Sequence, residues 1–151
     1  MSIKSRFMST VMAIALFLNM CPITLAYAST TPSVTIAVDH NTVLAGTYVD
    51  VTFTLDNNPG MNGFGLSIGY ESSVLALEST ADIRRPTTDI GLASSIFTAG
   101  NIANNPYRVS WISTGKDSSD GILVIATFKV LDEAGIGDSP ITATIFQAFT
   151  D

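Results

Sequence analysis

The chain has 151 residues, of which 46% are hydrophobic and 13% charged, and its formal net charge is −6. This length and composition suit a single domain with a substantial apolar core. The acidic balance argues against nucleic acid and anionic membranes as partners, because their phosphate groups would be repelled.

The first 28 residues have the features of a secretory signal peptide. Lys4 and Arg6 precede an uncharged apolar run over residues 7–18, and a small-x-small pattern then ends at Ala28. The run is shorter than the roughly 20 apolar residues that a membrane-spanning helix needs, so we expect cleavage and no membrane insertion afterwards. The sequence therefore predicts a secreted protein that is extracellular or associated with the cell surface.

Cleavage after Ala28 would remove 28 of the 151 residues and leave 123, beginning with a short leader over residues 29–33. The one cysteine, Cys21, would leave with the signal peptide, so the domain over residues 34–151 cannot use disulfides. Two of the seven basic residues would also leave, and the remaining five against thirteen acidic residues give a net charge of −8. The stability of the mature domain must then come from packing or from bound ions.

Most of the mature chain alternates between apolar and polar residues with the period of two that is typical of β-strands. Turn-forming residues separate the alternating segments, and no long amphipathic helix is predicted. Seven or eight strands at this spacing predict an all-β domain, either a β-sandwich or a jelly roll. The clearest predicted strands are Val34–Val38, Tyr48–Leu55, Gly63–Tyr70, Tyr107–Ser113, Gly121–Leu131 and Pro140–Phe149.

The predicted strand Gly63–Tyr70 has two very unequal faces. An Asn-Asn-Pro-Gly segment precedes it, and this composition is a strong turn signal. Large apolar residues alternate with glycine and serine, so one face would pack into the core and the other would expose bare backbone. The large residues are Phe64, Leu66, Ile68 and Tyr70, and the small ones are Gly63, Gly65, Ser67 and Gly69.

The sequence offers few residues that could carry out catalysis. The single histidine, His40, lies at the end of the first predicted strand, and the mature chain has no cysteine nucleophile. A zinc site usually needs several histidine or cysteine ligands, and the mature chain has only one histidine and no cysteine. Acidic residues are plentiful but lie mainly in predicted turns. Their number alone does not exclude a pair of catalytic carboxylates like that of a glycosidase. Asp117 and Asp120 leave a structural calcium site open, although their spacing differs from that of an EF-hand loop.

Three aromatic residues allow more than one interpretation. Tyr107 and Trp111 alternate with Val109, which favours a place in the core. If the two rings were exposed instead, they could form the sugar-stacking platform of a carbohydrate-binding module. Phe146 falls on the face opposite Ile145, and we expect it to form an exposed apolar contact.

The run from Gly60 to Leu75 resembles the third strand and following turn of cohesin domains, the scaffoldin modules that bind dockerins in cellulosomes. Three flanking segments support the resemblance, which extends over residues 34–151. They are the Ala45–Thr47 turn before the second strand, Asp120–Leu123 at the start of the seventh, and Gly137–Ile141 before the eighth.

The resemblance implies a nine-stranded β-sandwich with jelly-roll topology and a non-catalytic role. The module would capture a dockerin carried by an enzyme or a scaffold protein, and its association with plant cell-wall polysaccharide would be indirect. The dockerin would bind calcium, and this domain would need no cofactor. The chain ends at Asp151, before the ninth strand, so we expect that strand to be missing and the domain to be C-terminally truncated.

The resemblance also places the partner-binding surface on the outer face of the sheet that contains the third, fifth, sixth and eighth strands. Small side chains on the third strand would let a partner helix approach the sheet closely. The acidic domain would suit a partner with basic recognition residues. An adhesion domain without a specific pocket is a further alternative. The predicted partner-binding residues are Gly63, Gly65, Ser67, Gly69, Arg108, Ser110, Ile112 and Phe146.

Overall fold

The computed structural model describes residues 31–85 and 96–149, so the predicted signal peptide lies outside the described residues. The described residues form nine β-strands and one 3₁₀ turn, Thr80–Asp82, and they contain no α-helix. The strands are β1 (Ser33–Val38), β2 (Tyr48–Asp56), β3 (Met61–Gly69), β4 (Leu75–Ala76), β5 (Ile83–Arg84), β6 (Ile96–Ala99), β7 (Tyr107–Asp117), β8 (Gly121–Val130) and β9 (Thr142–Phe149).

The strands form two antiparallel sheets that pack face to face, and the prediction of an all-β sandwich is confirmed. The first sheet has the order β1-β2-β8-β4, with β5 also paired to β8, and the second has the order β6-β7-β3-β9. The count exceeds the predicted seven or eight because β4 and β5 have two residues each, too few for alternation to reveal. The sixth and eighth strands of the resemblance are therefore β7 and β9.

The core lies between the sheets and contains the inward faces of β2, β3, β7 and β8. Phe53, Leu66 and Phe128 are fully buried, and burial of each such side chain stabilises the fold by about 1.5–3 kcal/mol. Tyr107 and Trp111 are also in the core, with 0% and 4% of their surface exposed. The alternative interpretation of these two rings as a sugar-stacking platform is therefore wrong, because neither ring can reach a ligand outside the domain.

The predicted Asn-Asn-Pro-Gly turn connects β2 to β3, and Asn58 ties it to the turn between β7 and β8. The Asn58 side-chain amide donates hydrogen bonds to the carbonyl oxygens of Asp117 and Ser119, at 2.8 and 2.9 Å. The Asn58 backbone N–H donates to Asp120 at 2.8 Å, and Ser119 N–H donates to Asp117 at 2.8 Å. Both acids of the suggested calcium pair thus accept backbone hydrogen bonds in this turn.

Two ion pairs of the described residues lie on the solvent-facing side of the first sheet. Asp50 on β2 accepts hydrogen bonds from Thr127 at 2.6 Å and from Arg84 at 2.5 Å. Nearby, Glu78 accepts a hydrogen bond from Tyr48 at 2.9 Å and lies 3.2 Å from the Lys129 ammonium group. These contacts place two carboxylates and two cations on the side of the sandwich that faces away from the second sheet.

The pKa of Asp50 is lowered from its ordinary value of 3.8, first by the Thr127 hydrogen bond and then by Arg84, while partial burial acts in the opposite direction. A lowered pKa in the folded state contributes stability that is present above pH 3.8 and is lost as the pH falls through the folded value. We expect Asp50→Asn to lower the free energy of unfolding at pH 7, with a difference that shrinks below pH 4 as Asp50 of the wild type is protonated. Urea unfolding between about pH 7 and pH 2.5 measures this, and Asp138→Asn, at an exposed loop residue, controls for the lost charge.

Gly100 follows β6 and packs against the backbone of β7. A Cβ atom at residue 100 would collide with the carbonyl oxygen of Arg108, whereas a Cβ atom at Gly115 would meet nothing within 4 Å. The backbone at Arg108 cannot easily move away, because its neighbour Val109 pairs with Ala99. Gly100 therefore holds β6 close to the strand that carries Arg108.

We expect Gly100→Ala to lower the free energy of unfolding by about 1–3 kcal/mol through this collision. The matched variant Gly115→Ala should change it by less than about 0.5 kcal/mol. Equilibrium urea unfolding of both variants and the wild type measures the difference. Equal effects of the two substitutions would contradict the close packing of β6 on β7.

Candidate functional site

All eight predicted partner-binding residues lie on one surface, the outer face of the second sheet. The register brings them together, because Gly63 pairs with Ile112, Gly65 with Ser110, and Ser67 with Arg108. On its other side β3 pairs with β9, which carries Phe146. We call this surface the outer face, and its residues are Gly63, Gly65, Ser67, Gly69, Thr98, Arg108, Ser110, Ile112, Thr142, Thr144 and Phe146.

Phe146 reaches the outer face through an irregularity in β9. Leu66 pairs with Ile145 and Gly65 pairs with Gln147, so Phe146 is the extra residue of a β-bulge. Bulges change the direction in which a strand presents its side chains. The ring remains 45% exposed, in agreement with the prediction of an exposed apolar contact.

The Phe146 ring lies directly over Gly65. A Cβ atom at residue 65 would lie only 2.5 to 3.0 Å from three carbons of this ring, and one at Gly69 would lie 2.7 Å from the Thr142 hydroxyl oxygen. Such distances are far below normal carbon contacts. The small residues of β3 thus accommodate side chains of β9, and the expectation of bare backbone is wrong at these two positions. A partner helix would meet the Phe146 ring before it reached Gly65.

Arg108 extends over the Phe146 ring. Its guanidinium carbon lies 5.2 Å from the centre of the Phe146 ring, which is a cation–π distance. Three ion pairs of the described residues are His40–Asp39, Arg84–Asp50 and Lys129–Glu78, and Arg108 takes part in none of them. The guanidinium of Arg108 is therefore held by an aromatic ring and by no carboxylate of the described chain.

Ile112 completes the apolar part of the outer face, with 60% of its surface exposed on β7. Ser110 lies between Ile112 and Arg108 on the same strand and adds a hydroxyl group. Exposed apolar side chains on a rigid sheet, beside one arginine, have the composition of a protein-binding surface. Nothing in this set of residues provides a nucleophile with an adjacent base.

A loop over residues 101–106 extends the outer face beyond Arg108, and its role was not predicted. Asn105 donates a hydrogen bond to the Tyr70 carbonyl oxygen at 2.6 Å and accepts one from Tyr70 N–H at 3.4 Å. The loop is thereby tied to the end of β3. Residues 103–106 and Arg108 line an open, mainly polar depression. The polar composition of the loop predicted a turn but gave no sign of the depression.

The histidine and the possible metal site considered in the sequence do not add to the outer face. His40 follows β1 in the other sheet, is exposed, and contacts Asp39 at 3.1 Å. Within residues 31–85 and 96–149, no group of three or more histidine, cysteine, aspartate or glutamate side chains is placed to hold a metal ion. No helix of the described chain is long and apolar enough to cross a membrane.

The position of Arg108 over Phe146 predicts a measurable ring-current effect. We expect the side-chain methylene protons of Arg108 to resonate upfield in the wild type and to move toward ordinary values in Phe146→Leu. Gly65→Ala should cause the same change, because the added Cβ displaces the ring. Proton–carbon NMR spectra measure the shifts, and Gly115→Ala should leave them unchanged. An unaltered Arg108 spectrum in Phe146→Leu would contradict the stacked geometry.

No protein-family model matches the sequence, and a search of curated proteins finds no match. Solved structures do match. A type II cohesin, A11, from Bacteroides cellulosolvens is 23% identical, with 74% of this chain and 76% of that chain covered and a TM-score of 0.55. The third cohesin of ScaC from Acetivibrio cellulolyticus, solved in complex with the ScaB dockerin, is 22% identical, with 66% and 72% covered and a TM-score of 0.53.

The cohesin–dockerin complex Coh-OlpA–Doc918 from Clostridium thermocellum matches over more of the chain. It covers 80% of this chain and 92% of that chain, at 14% identity and a TM-score of 0.59. The similarity therefore lies in the arrangement of the strands far more than in residue identity. The chain has the β-sandwich fold of cohesin modules.

Proposed function

We propose that this domain is a non-catalytic interaction module that binds a dockerin and so recruits a dockerin-bearing enzyme or scaffold protein to a cellulosome or a cell surface. One observation supports this most. The outer face carries exposed Phe146, Ile112 and Arg108 on a fold that, in the ScaC structure, is solved in complex with a dockerin.

The chemistry of the outer face favours protein binding over the alternatives. Aromatic residues and arginine contribute most strongly to binding energy at protein interfaces. A carbohydrate-binding module would need an exposed aromatic platform, but Trp111 and Tyr107 are buried between the sheets. The carbohydrate-binding alternative is therefore not favoured.

In this proposal the domain acts outside the cell after removal of residues 1–28. Calcium would belong to the dockerin and not to this domain. Contact with plant cell-wall polysaccharide would be indirect, through the recruited enzyme or scaffold. The buried apolar core between the two sheets stabilises the sandwich itself.

Isothermal titration calorimetry of the mature chain, from Ser29 onward, against a panel of dockerin domains tests the proposal. We expect at least one dockerin to bind in the presence of calcium and to lose binding when calcium is chelated. The unfolding curve of this domain with and without chelator shows whether the calcium effect comes from the dockerin. No binding across a broad panel would contradict the proposal.

Two exposed isoleucines provide a matched pair of variants for the same titration. Ile112 lies on the outer face, whereas Ile136 lies in the loop between β8 and β9, and both are largely exposed. We expect Ile112→Glu to weaken dockerin binding by about 10-fold or more, because a charge would enter an apolar contact. Ile136→Glu should leave the affinity unchanged. Equal effects would place the interface elsewhere on the domain.

A further inference from the structure

The charges of this domain are divided unequally between its surfaces. Of the outer-face residues, Arg108 alone is charged. The described carboxylates belong to the first sheet, to the end of β7 or to loops and turns. They are Asp39, Asp50, Asp56, Glu71, Glu78, Asp82, Asp117, Asp120, Asp132, Glu133 and Asp138. The predicted mature charge of −8 therefore does not describe the surface that a partner would meet.

The local charge decides what can dock there. Exposed charges separated by more than about 8 Å are largely screened at physiological ionic strength. A group that contacts Phe146 lies beside Arg108, whose guanidinium is 5.2 Å from the centre of that ring. A partner cation at this place would meet an arginine at short range and would gain little from distant acids. The expectation of basic recognition residues, which rested on net charge, does not fit this geometry.

The position of Arg108 also favours the binding of an anion. The ring restrains the side chain, so less conformational freedom is lost when a partner binds. Its guanidinium offers a planar fork of N–H donors that matches a carboxylate. Arg108 forms no ion pair among the described residues, where Arg84 and Lys129 each have a carboxylate partner. The one cation of the outer face therefore has no carboxylate partner among the described residues and can pair with a carboxylate of a partner.

We propose that the partner of the outer face presents a carboxylate to Arg108, flanked by apolar side chains that cover Phe146 and Ile112. This inference rests on the proposed function and specifies which dockerins the domain selects, namely those with an acidic residue on the contact helix. Arg108 and Ile112 are four residues apart on β7, which corresponds to about 13 Å. A helix laid along β7 would span this distance in about two turns, with its acidic residue at one end and apolar residues one and two turns further on.

A displayed library of dockerin domains, randomised at exposed helix positions, tests the inference against the mature chain as bait. We expect aspartate or glutamate to be enriched at one helix position against the wild type, and lysine or arginine to be enriched there against Arg108→Glu. Lys116→Glu is the matched control, since it makes the same charge change near the far end of β7, about 20 Å from Arg108, and should retain the acidic preference. Binders without this preference would overturn the inference and leave dockerin binding intact. A library that gives no binder to any bait would overturn the proposed function itself.

A charge-reversal experiment with one selected dockerin completes the test. Arg108→Glu should weaken binding by about 10- to 100-fold, and changing the dockerin acid to lysine should restore much of the affinity. Restoration also shows that the variant folds. Phe146→Leu should weaken binding less, by loss of the ring that restrains Arg108. Failure of the lysine dockerin to rescue a folded Arg108→Glu variant would contradict a direct contact between the two charges.

Discussion

The contact between the Phe146 ring and the backbone of Gly65 determines how the second sheet is built and what it presents. The ring can lie there only because residue 65 has no side chain, and it is placed there by a bulge in β9. Arg108 then extends over the ring from the neighbouring strand on the other side of β3. The absence of a side chain at Gly65 thus allows side chains of β7 and β9 to pack together over β3. The small residues of β3 accommodate neighbouring side chains of the domain itself.

The two sheets differ in the side chains that their solvent-facing sides carry. The solvent-facing side of the first sheet carries ion pairs and hydrogen bonds. There Asp50 and Glu78 each have partners within the domain. The second sheet carries apolar side chains and one arginine on its outer face. Charged groups that already have partners contribute little to binding, whereas exposed apolar groups and an arginine without an ion pair can still gain contacts. This difference supports the second sheet as the proposed partner-binding surface.

The similarity to cohesin modules at 14 to 23% identity has a simple physical basis. A β-sandwich needs apolar side chains at alternate positions and turn residues between strands, and many sequences satisfy this requirement. Most outward-facing residues are freer to change, because they do not contribute to the core, whereas Gly65 is constrained by the Phe146 ring above it. In the proposed function, specificity rests on a few residues of the outer face, and fold similarity alone does not define the partner.

The sequence by itself determined the all-β class, the inward faces of β2 and β3, the Asn-Asn-Pro-Gly turn and the exposure of Phe146. Each follows from local alternation or from turn chemistry, which neighbouring residues decide. The tertiary structure decided that Tyr107 and Trp111 are core residues, that Phe146 covers Gly65, and that the described carboxylates lie away from the outer face. These features depend on which strands become neighbours and on a one-residue bulge in their register. Strand alternation carries no information about either, because it assigns a side chain to a face without saying which residue of another strand will lie beside it.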